Sequence, residues 1–259
     1  MTDAPPDAPV PQQVAAWMAR AERVTVLTGA GCSTDSGIPD FRGPQGVWTR
    51  NPAAPALFTI DAYVSDPQVR ITAWQERSRH SAWTATPNEA HRALAALQDA
   101  GRLRALVTQN IDGLHQAAGS RDVVELHGTL WWARCLACGE RIPMREALDR
   151  VAAGEADPPC RACGGILKSD TVSFGQSLDP DVLAAAARAA ADCDLFLAIG
   201  TSLQVHPAAG LCDVALRRGA RLVIVNAEST PYDVHADAVL RAPIGIAVPA
   251  LVAAALATT

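Results

Sequence analysis

The chain has no run approaching the ~18 consecutive apolar residues of a membrane-spanning helix, so no membrane association is expected. It lacks a basic excess too: 22 Lys and Arg stand against 27 Asp and Glu, a formal net charge of −5. Nucleic-acid binding leans on dense Lys and Arg, so no nucleic-acid partner is expected. Aromatic residues make up only 5%, with two tyrosines, Tyr63 and Tyr232. Residues 1–11, with Asp3, Asp7 and four prolines, have neither the apolar core of a signal peptide nor the arginines of a transit peptide. They read as a flexible acidic lead, and a cytoplasmic enzyme is the expectation. In that compartment the seven cysteines need a role other than disulfide formation. At 259 residues and 49% hydrophobic composition, the chain can bury one large domain or a large and a small one.

What the chain does have is organised around Thr28–Trp48. Directly before it, Val24-Thr-Val-Leu27 is a short apolar, β-branched run that suits a buried parallel strand. Gly29 and Gly31 permit a tight turn and a close approach of backbone to ligand. Ser33, Thr34 and Ser36 add hydroxyls and possible caps where phosphate oxygens meet free N–H groups. The third glycine of the usual dinucleotide fingerprint is missing, and no acidic residue follows about 20 positions later. On spacing alone, a plain glycine-rich loop stays open. Asp40, Phe41 and Arg42 place a carboxylate, an aromatic and a cation beside it.

Along the chain, Val10–Ala21 has helical spacing, with Val14, Trp17, Met18 and Ala21 on one side. Residues 44–67 are irregular, which predicts a lid or the entry to an inserted module. Val69–Trp83 is patchily amphipathic. Thr86-Pro-Asn-Glu89 predicts a capping box with proline at the first helical position, and that helix stops at Gly101. Strand-like runs at Leu103–Val107, Val123–Leu126, Leu195–Ile199 and Leu222–Val225 each lead into polar or glycine residues. Ligands of open α/β sheets bind at such carboxyl ends. Helices are predicted at Pro180–Ala191, capped by Asp179, and at Pro207–Arg218. The alternation implies an α/β fold with a doubly wound parallel sheet.

The interval Leu130–Gly175 breaks this alternation. Cys135-Leu-Ala-Cys138 and Cys160-Arg-Ala-Cys163 are Cys-x-x-Cys pairs 21 residues apart, each followed by glycine. Four thiolates on two such knuckles suit one structural zinc ion; two disulfides or a redox pair is the competing reading. The acids between Arg134 and Lys168 nearly balance the bases, so no nucleic-acid-binding face is evident. Cys32, Cys193 and Cys212 read as small buried residues.

Gln109-Asn110-Ile111-Asp112 follows a strand end. Asn110 and Asp112 offer the donor and acceptors that a carboxamide needs, although taken alone an Asx turn satisfying its own backbone is the preferred reading. His127, at the next strand end before Gly128, is a candidate general base or a satisfied structural histidine. His115 falls a helical turn into its element and reads as a packing or orienting residue.

Taken together, Gly29-Ala-Gly-Cys-Ser-x-x-Ser-Gly-Ile-Pro-Asp-Phe-Arg42, Thr108-Gln-Asn-Ile-Asp-Gly-Leu-His115, Glu125-Leu-His-Gly128, the two cysteine pairs, Val172-x-Phe-Gly175, Gly200-Thr-Ser202 and Asn226 resemble the sirtuins. These are NAD-dependent protein lysine deacylases, and the match covers roughly residues 24–245. The resemblance implies a Rossmann-like NAD-binding domain (12–43, 101–129 and 176–259). It also implies a small domain made of a helical insert (44–100) and a zinc ribbon with a peptide strand (130–175). It implies NAD, one structural zinc and an acyl-lysine protein or peptide substrate. By matching position, Gly29, Ala30, Gly31, Ser33, Asp40, Phe41, Arg42, Trp48, Gln109 and Ile111 would line the cofactor site. Asn110 and Asp112 would bind nicotinamide, and His127 would serve as the base. Gly200, Thr201, Ser202, Asn226, Ala227, Glu228 and Ile244 would meet phosphate, ribose and adenine. Val172, Phe174 and Gly175 would pair with the substrate peptide by backbone addition. A mono-ADP-ribosyltransferase using the same pocket and a non-catalytic NAD-sensing module are the alternatives.

Within the family the chain looks most like class II. Two departures stand out. Lys168-Ser169-Asp170 replaces the usual lysine-proline after the second zinc pair. The Tyr-x-x-Arg pair of succinyl- and malonyl-lysine enzymes is also absent, since neither tyrosine precedes an arginine by three. Trp74-Gln-Glu-Arg77 stands instead, with Arg70 and Arg79 nearby. A carboxylate in an apolar channel without a bidentate arginine is costly to desolvate. Neutral acyl groups over succinyl are therefore expected, with Trp74 offering apolar area to the channel.

Overall fold

The computed structural model describes residues 11–43, 46–50 and 59–257. In chain order its strands are β1 (Val24–Thr28), β2 (Leu103–Thr108), β3 (Val124–Glu125), β4 (Gly128–Cys135), β5 (Arg141–Pro143), β6 (Leu167–Thr171), β7 (Leu195–Ile199), β8 (Arg221–Val225) and β9 (Ala238–Leu240). Six form one sheet in the order β3-β2-β1-β7-β8-β9, every pair parallel. The topology reverses between β1 and β7, which is where open α/β sheets bind ligands at the carboxyl ends of their strands.

Why these runs become central strands is visible in their packing. Leu195, Leu197 and Ile199 enter one core while Phe196 and Ala198 enter the other. Val223 and Val225 likewise oppose Leu222 and Ile224 across β8. With helices on both faces, every position is covered, and the strand reads as a continuous apolar run rather than an alternating one. Helix Gln12–Arg20 supplies Val14 and Met18 to the first core, together with Leu251 and Val252 of the C-terminal helix Ile244–Leu256. Helices Pro180–Ala191 and Leu211–Arg217 cover the second face with Ala186, Ala190, Leu211 and Ala215.

A second sheet, β5-β4-β6, is antiparallel. It shares a smaller core with helices Pro67–Ser78 and Met144–Ala152, built from Trp74, Ala133, Met144, Ala147 and Leu167 around Cys135 and Cys160.

Four expectations are corrected. Helix Glu89–Asp99 is capped by Asn88, not Thr86: Asn88 Oδ1 accepts from the N–H groups of Ala90 and His91, and Pro87 lies outside the helix. That helix places Ala90, Leu94 and Leu97 in the large core, so the insert expected over 44–100 gives way before it. Residues 172–175 form no ladder strand; β6 ends at Thr171 and only an isolated bridge joins Phe174 to Thr59. Trp74 lines no channel, because at 2% exposure it is packed under the ribbon. Of the irregular stretch expected over 44–67, residues 44–45 and 51–58 lie outside the described residues, and the rest holds the short helices Val47–Arg50 and Ile60–Ser65. No described helix is long and apolar enough to cross a membrane.

Candidate active site

Gly29 follows β1 and starts a tight 3-10 turn, Ala30–Ser36. Gly29 N donates to Ile199 O, and Gly31 N to Gly200 O at 2.9 Å. A Cβ on Gly29 would fall 2.7 Å from Gly200 O, and one on Gly31 2.9 Å from Gly200 Cα. Glycine is therefore required because two loops from opposite sides of the switch point meet backbone to backbone.

Beneath this contact lies a buried polar network. Ser33 Oγ, 1% exposed, donates to Asp112 Oδ2 at 2.7 Å and accepts from Asn110 Nδ2 at 3.1 Å. Asn110 Nδ2 also donates to Gly29 O at 3.0 Å, and Asp112 Oδ1 accepts from Leu114 N at 2.9 Å. Gln109 Nε2 reaches Thr201 Oγ1 at 2.9 Å, tying β2 to the loop after β7. An amide and a carboxylate are thus locked side by side, with the mixed donor and acceptor character that a carboxamide ligand requires.

His127 Nδ1 lies 2.9 Å from Gln109 O. A carbonyl can only accept, so Nδ1 carries the proton and Nε2 holds a bare lone pair. Burial pulls the pKa of His127 below its ordinary value, against the opposing effect of the Gln109 carbonyl. The backbone carbonyl of His127 accepts from Val172 N at 2.9 Å, which anchors the segment 172–175. Gly128 has φ +70°, and a Cβ there would lie 2.1 Å from Asp170 O, so only glycine lets β4 leave His127 in this pose. Phe174 is 42% exposed, and its carbonyl accepts from Ile60 N.

Of the expected site residues, Gly29, Gly31, Ser33, Gln109, Asn110, Asp112, Gly200, Thr201 and His127 come together in this one hydrogen-bonded assembly. Ala30 lies in the same turn, Ile111 accepts from Leu130 N through its carbonyl, and Ser202 follows Thr201 half-buried. Asp40 Oδ1 accepts from Gly43 N, Phe41 is 41% exposed, and burial lowers the pKa of Arg42. The Trp48 side chain is outside the described residues. Asn226, Ala227 and Glu228 make a separate turn after β8, closed by Asn226 Nδ2 to Glu228 O and by Arg241. Ile244 opens the C-terminal helix beside it. A depression of about 540 Å³ lined by Asp35, Pro87, Asn88 and Gly245 lies near the turn but contains neither His127 nor the Gln109–Asp112 group. The backbone and the hydrogen-bonding groups, rather than that hollow, mark the site.

Trp131 is the residue that the motifs did not single out. Its Nε1 donates to Asp112 O at 2.8 Å and its ring meets Trp83 edge-on at 5.2 Å. It is 46% exposed on β4, a property that only the structure reveals.

The cysteines fit zinc. Sγ atoms of Cys135 and Cys163 lie 3.5 Å apart and those of Cys138 and Cys160 3.7 Å, with all four ligand atoms within 4.8 Å of one another. Bonds of about 2.3 Å from a tetrahedral zinc demand such spacings. Gly139 and Gly164, at φ +77° and +72°, close the two knuckles. Four thiolates leave no open position, so the ion holds the ribbon together and takes no part in the reaction.

A Sir2 family model matches residues 29–207. The chain is 56% identical over 230 residues to NAD-dependent protein deacetylase 2 of Streptomyces coelicolor, covering 88% of this chain and 95% of that one. It is 47% identical over 231 residues to NAD-dependent protein deacetylase 1 of Pyrobaculum aerophilum, covering 88% of each. Among solved structures, a Sir2 variant with a deacetylated p53 peptide and 3'-O-acetyl ADP-ribose superposes with TM-score 0.86 at 33% identity, covering 93% of this chain and 96% of that one. A Sir2, p53 peptide and NAD+ complex does so with TM-score 0.81 at 34% identity, covering 90% and 93%. The glycine turn, the Asn110–Asp112 pair and the ribbon thus sit in a chain that belongs to the Sir2 family of NAD-dependent protein deacylases.

Proposed function

We propose that this chain removes acyl groups from lysine side chains of proteins or peptides, passing them to ADP-ribose with release of nicotinamide, and that His127 is its general base. NAD, when bound, supplies the sugar carbon that accepts the acyl oxygen and the ribose hydroxyls that the base can deprotonate. The chain's residues divide the remaining work. Asn110 and Asp112 hold the nicotinamide amide, and Ser33 fixes both of them. Gly29, Ala30, Gly31, Arg42, Gln109, Gly200, Thr201 and Ser202 receive phosphate and ribose. Asn226, Ala227, Glu228 and Ile244 lie on the adenosine side. Asp40 and its neighbours position Phe41 to shield the reacting sugar from water.

One observation carries this reading: His127 is bonded to both halves of the site. Its ring rests on Gln109 O, and its own carbonyl holds Val172. A base placed there reaches a cofactor under the β1 turn and a peptide laid along Val172, Phe174 and Gly175 by backbone addition. Its lowered pKa keeps the imidazole neutral and able to accept a proton at neutral pH.

Neutral acyl groups are favoured over succinyl. Arg70, one of the expected readers of a carboxylate, is committed to Asp157 at 2.7 Å and to the carbonyls of Tyr63 and Val64. Arg77 donates to Ser169 Oγ at 3.0 Å. With Trp74 in the ribbon core, the exposed Trp131 and Phe174 are left to offer apolar surface to the acyl chain. Class II membership and action in the cytoplasm complete the reading. The test is mass spectrometry of the purified enzyme with NAD and acetyl-, butyryl- and succinyl-lysine versions of one peptide. O-acyl-ADP-ribose should form fastest from the neutral acyl groups. A protein that consumes NAD without forming it, or that prefers succinyl, refutes the assignment.

A further inference from the structure

On the core side of the cofactor turn, which itself supplies Cys32, three buried side chains converge. Cys32, His91 and His115 are 1%, 0% and 1% exposed, and Cys32 Sγ and one nitrogen of each ring all lie within 4.8 Å of one another. Their outer nitrogens meet polar partners. His91 Nδ1 lies 2.9 Å from Asn88 Oδ1, to which it can only donate, and 3.3 Å from Asn88 N, from which it can only accept, so the tautomer of this ring follows what Nε2 meets. His115 Nε2 lies 2.9 Å from Thr28 Oγ1, whose own proton goes to Thr108 Oγ1. The inner nitrogens, His91 Nε2 and His115 Nδ1, have no partner at all. When His91 Nδ1 donates to Asn88 Oδ1, as it must if Nε2 ligates a metal, the two unpartnered nitrogens are lone pairs beside a thiol in an apolar core that includes Val26, Ala90, Leu94 and Ile199. Buried polar atoms are rarely left so. Imidazoles that ligate metals characteristically donate their second N–H to an oxygen in this way.

We propose that Cys32, His91 and His115 form a buried three-coordinate site for Cu(I). Two imidazoles and one thiolate in a trigonal set are a copper environment, and soft thiolate favours the monovalent ion. Charge points the same way. Cu(I) and a thiolate are neutral together, whereas Zn²⁺ would leave a positive charge and lack a fourth ligand. Asp112 does not supply that ligand, because its oxygens are taken by Ser33 Oγ and Leu114 N. On binding, Cys32 loses its thiol proton to solvent as the copper–sulfur bond forms, and no electron moves. Bonds of about 2.0 Å to nitrogen and 2.3 Å to sulfur, as found for zinc, need only a small contraction of the present cluster.

The test is an anaerobic titration of the zinc-loaded full chain with Cu(I) buffered by bicinchoninate, with released zinc followed by a colorimetric chelator. One Cu(I) should enter without displacing zinc. Cys32→Ser should weaken its binding by at least about 100-fold, the upper end of what even an outer partner contributes, while Cys212→Ser keeps it. X-ray absorption of the copper-loaded natural chain should show one sulfur and two nitrogens, independently of whether any variant folds. Copper uptake matched by zinc release, an all-sulfur copper shell, or unchanged affinity in folded Cys32→Ser would overturn the proposal.

Discussion

Replacing Ser33 with Ala tests whether the network under the glycine turn is what prepares the site. Ser33 Oγ is fully enclosed, 2.7 Å from Asp112 Oδ2 and 3.1 Å from Asn110 Nδ2. The amide loses little, because Asn110 Nδ2 keeps its 3.0 Å bond to Gly29 O. The carboxylate loses more. Asp112 is 4% exposed, and without the hydroxyl its Oδ2 faces the interior while only Oδ1 stays bonded, to Leu114 N. A hydrogen bond to a charged group contributes about 1.5–3 kcal/mol, so the variant should be less stable by about 2 kcal/mol. At about 2–4 °C per kcal/mol for a chain of this size, the melting temperature should fall by roughly 4–8 °C. The same loss frees Asp112 and Asn110 to turn, so the KM for NAD should rise by more than stability alone would explain. Differential scanning calorimetry of the zinc-loaded protein and steady-state kinetics at a temperature well below the transition separate the two effects. Ser33→Thr, which keeps a hydroxyl, should recover part of both. A melting temperature within about 1 °C of the natural chain, together with unchanged KM for NAD, would refute the idea that Ser33 organises the pair.

Three further predictions concern the base and the metal. His127→Ala should lower kcat by at least about 100-fold, the ordinary contribution of a general base, while NAD still binds in a calorimetric titration. In the natural enzyme the active form is the neutral imidazole. Burial lowers its pKa from 6.5, so kcat/KM should be level at pH 7 and fall only as pH drops through a value below 6.5; a midpoint above 6.5 contradicts the assignment. Cys135→Ser should lose zinc and melt the ribbon around Trp74, because a closed four-thiolate site contributes folding free energy directly. Metal analysis with tryptophan fluorescence reads both, and a variant that stays folded without zinc would show that the ion is dispensable.

The parts legible in the sequence share one property: they depend on neighbours close along the chain. A strand covered on both faces must be apolar throughout, so Leu195–Ile199 and Leu222–Val225 could be recognised without knowing what covers them. Two Cys-x-x-Cys knuckles hold a metal because each turn presents its own two thiolates. Asp179 caps Pro180–Ala191 through N–H groups two and three residues away. The polar residues beyond each strand could be read as a ligand site for the same reason.

Other features were decided by separations that no local pattern encodes. Thr86 and Asn88 both suit a cap, and the helix takes Asn88 because its side chain also reaches back to Cys32 O across 56 residues. Trp74 lies on a helix with weak amphipathic character, so whether it meets a channel or the ribbon core depended on where Met144 and Leu167 packed. The short β9 exists because β8 offers it backbone partners, and β3 keeps only Val124–Glu125 of the run Val123–Leu126 because those two residues are the ones that pair with β2. The bond from Ser33 to Asp112 spans 79 residues, and Cys32, His91 and His115 converge from three elements. Sequence alone determined which residues could do chemistry. The sheet order, by bringing the ends of β1, β2 and β7 to one point, decided which of them act together, because hydrogen bonds and metal ligation depend on ångström distances that only tertiary packing sets.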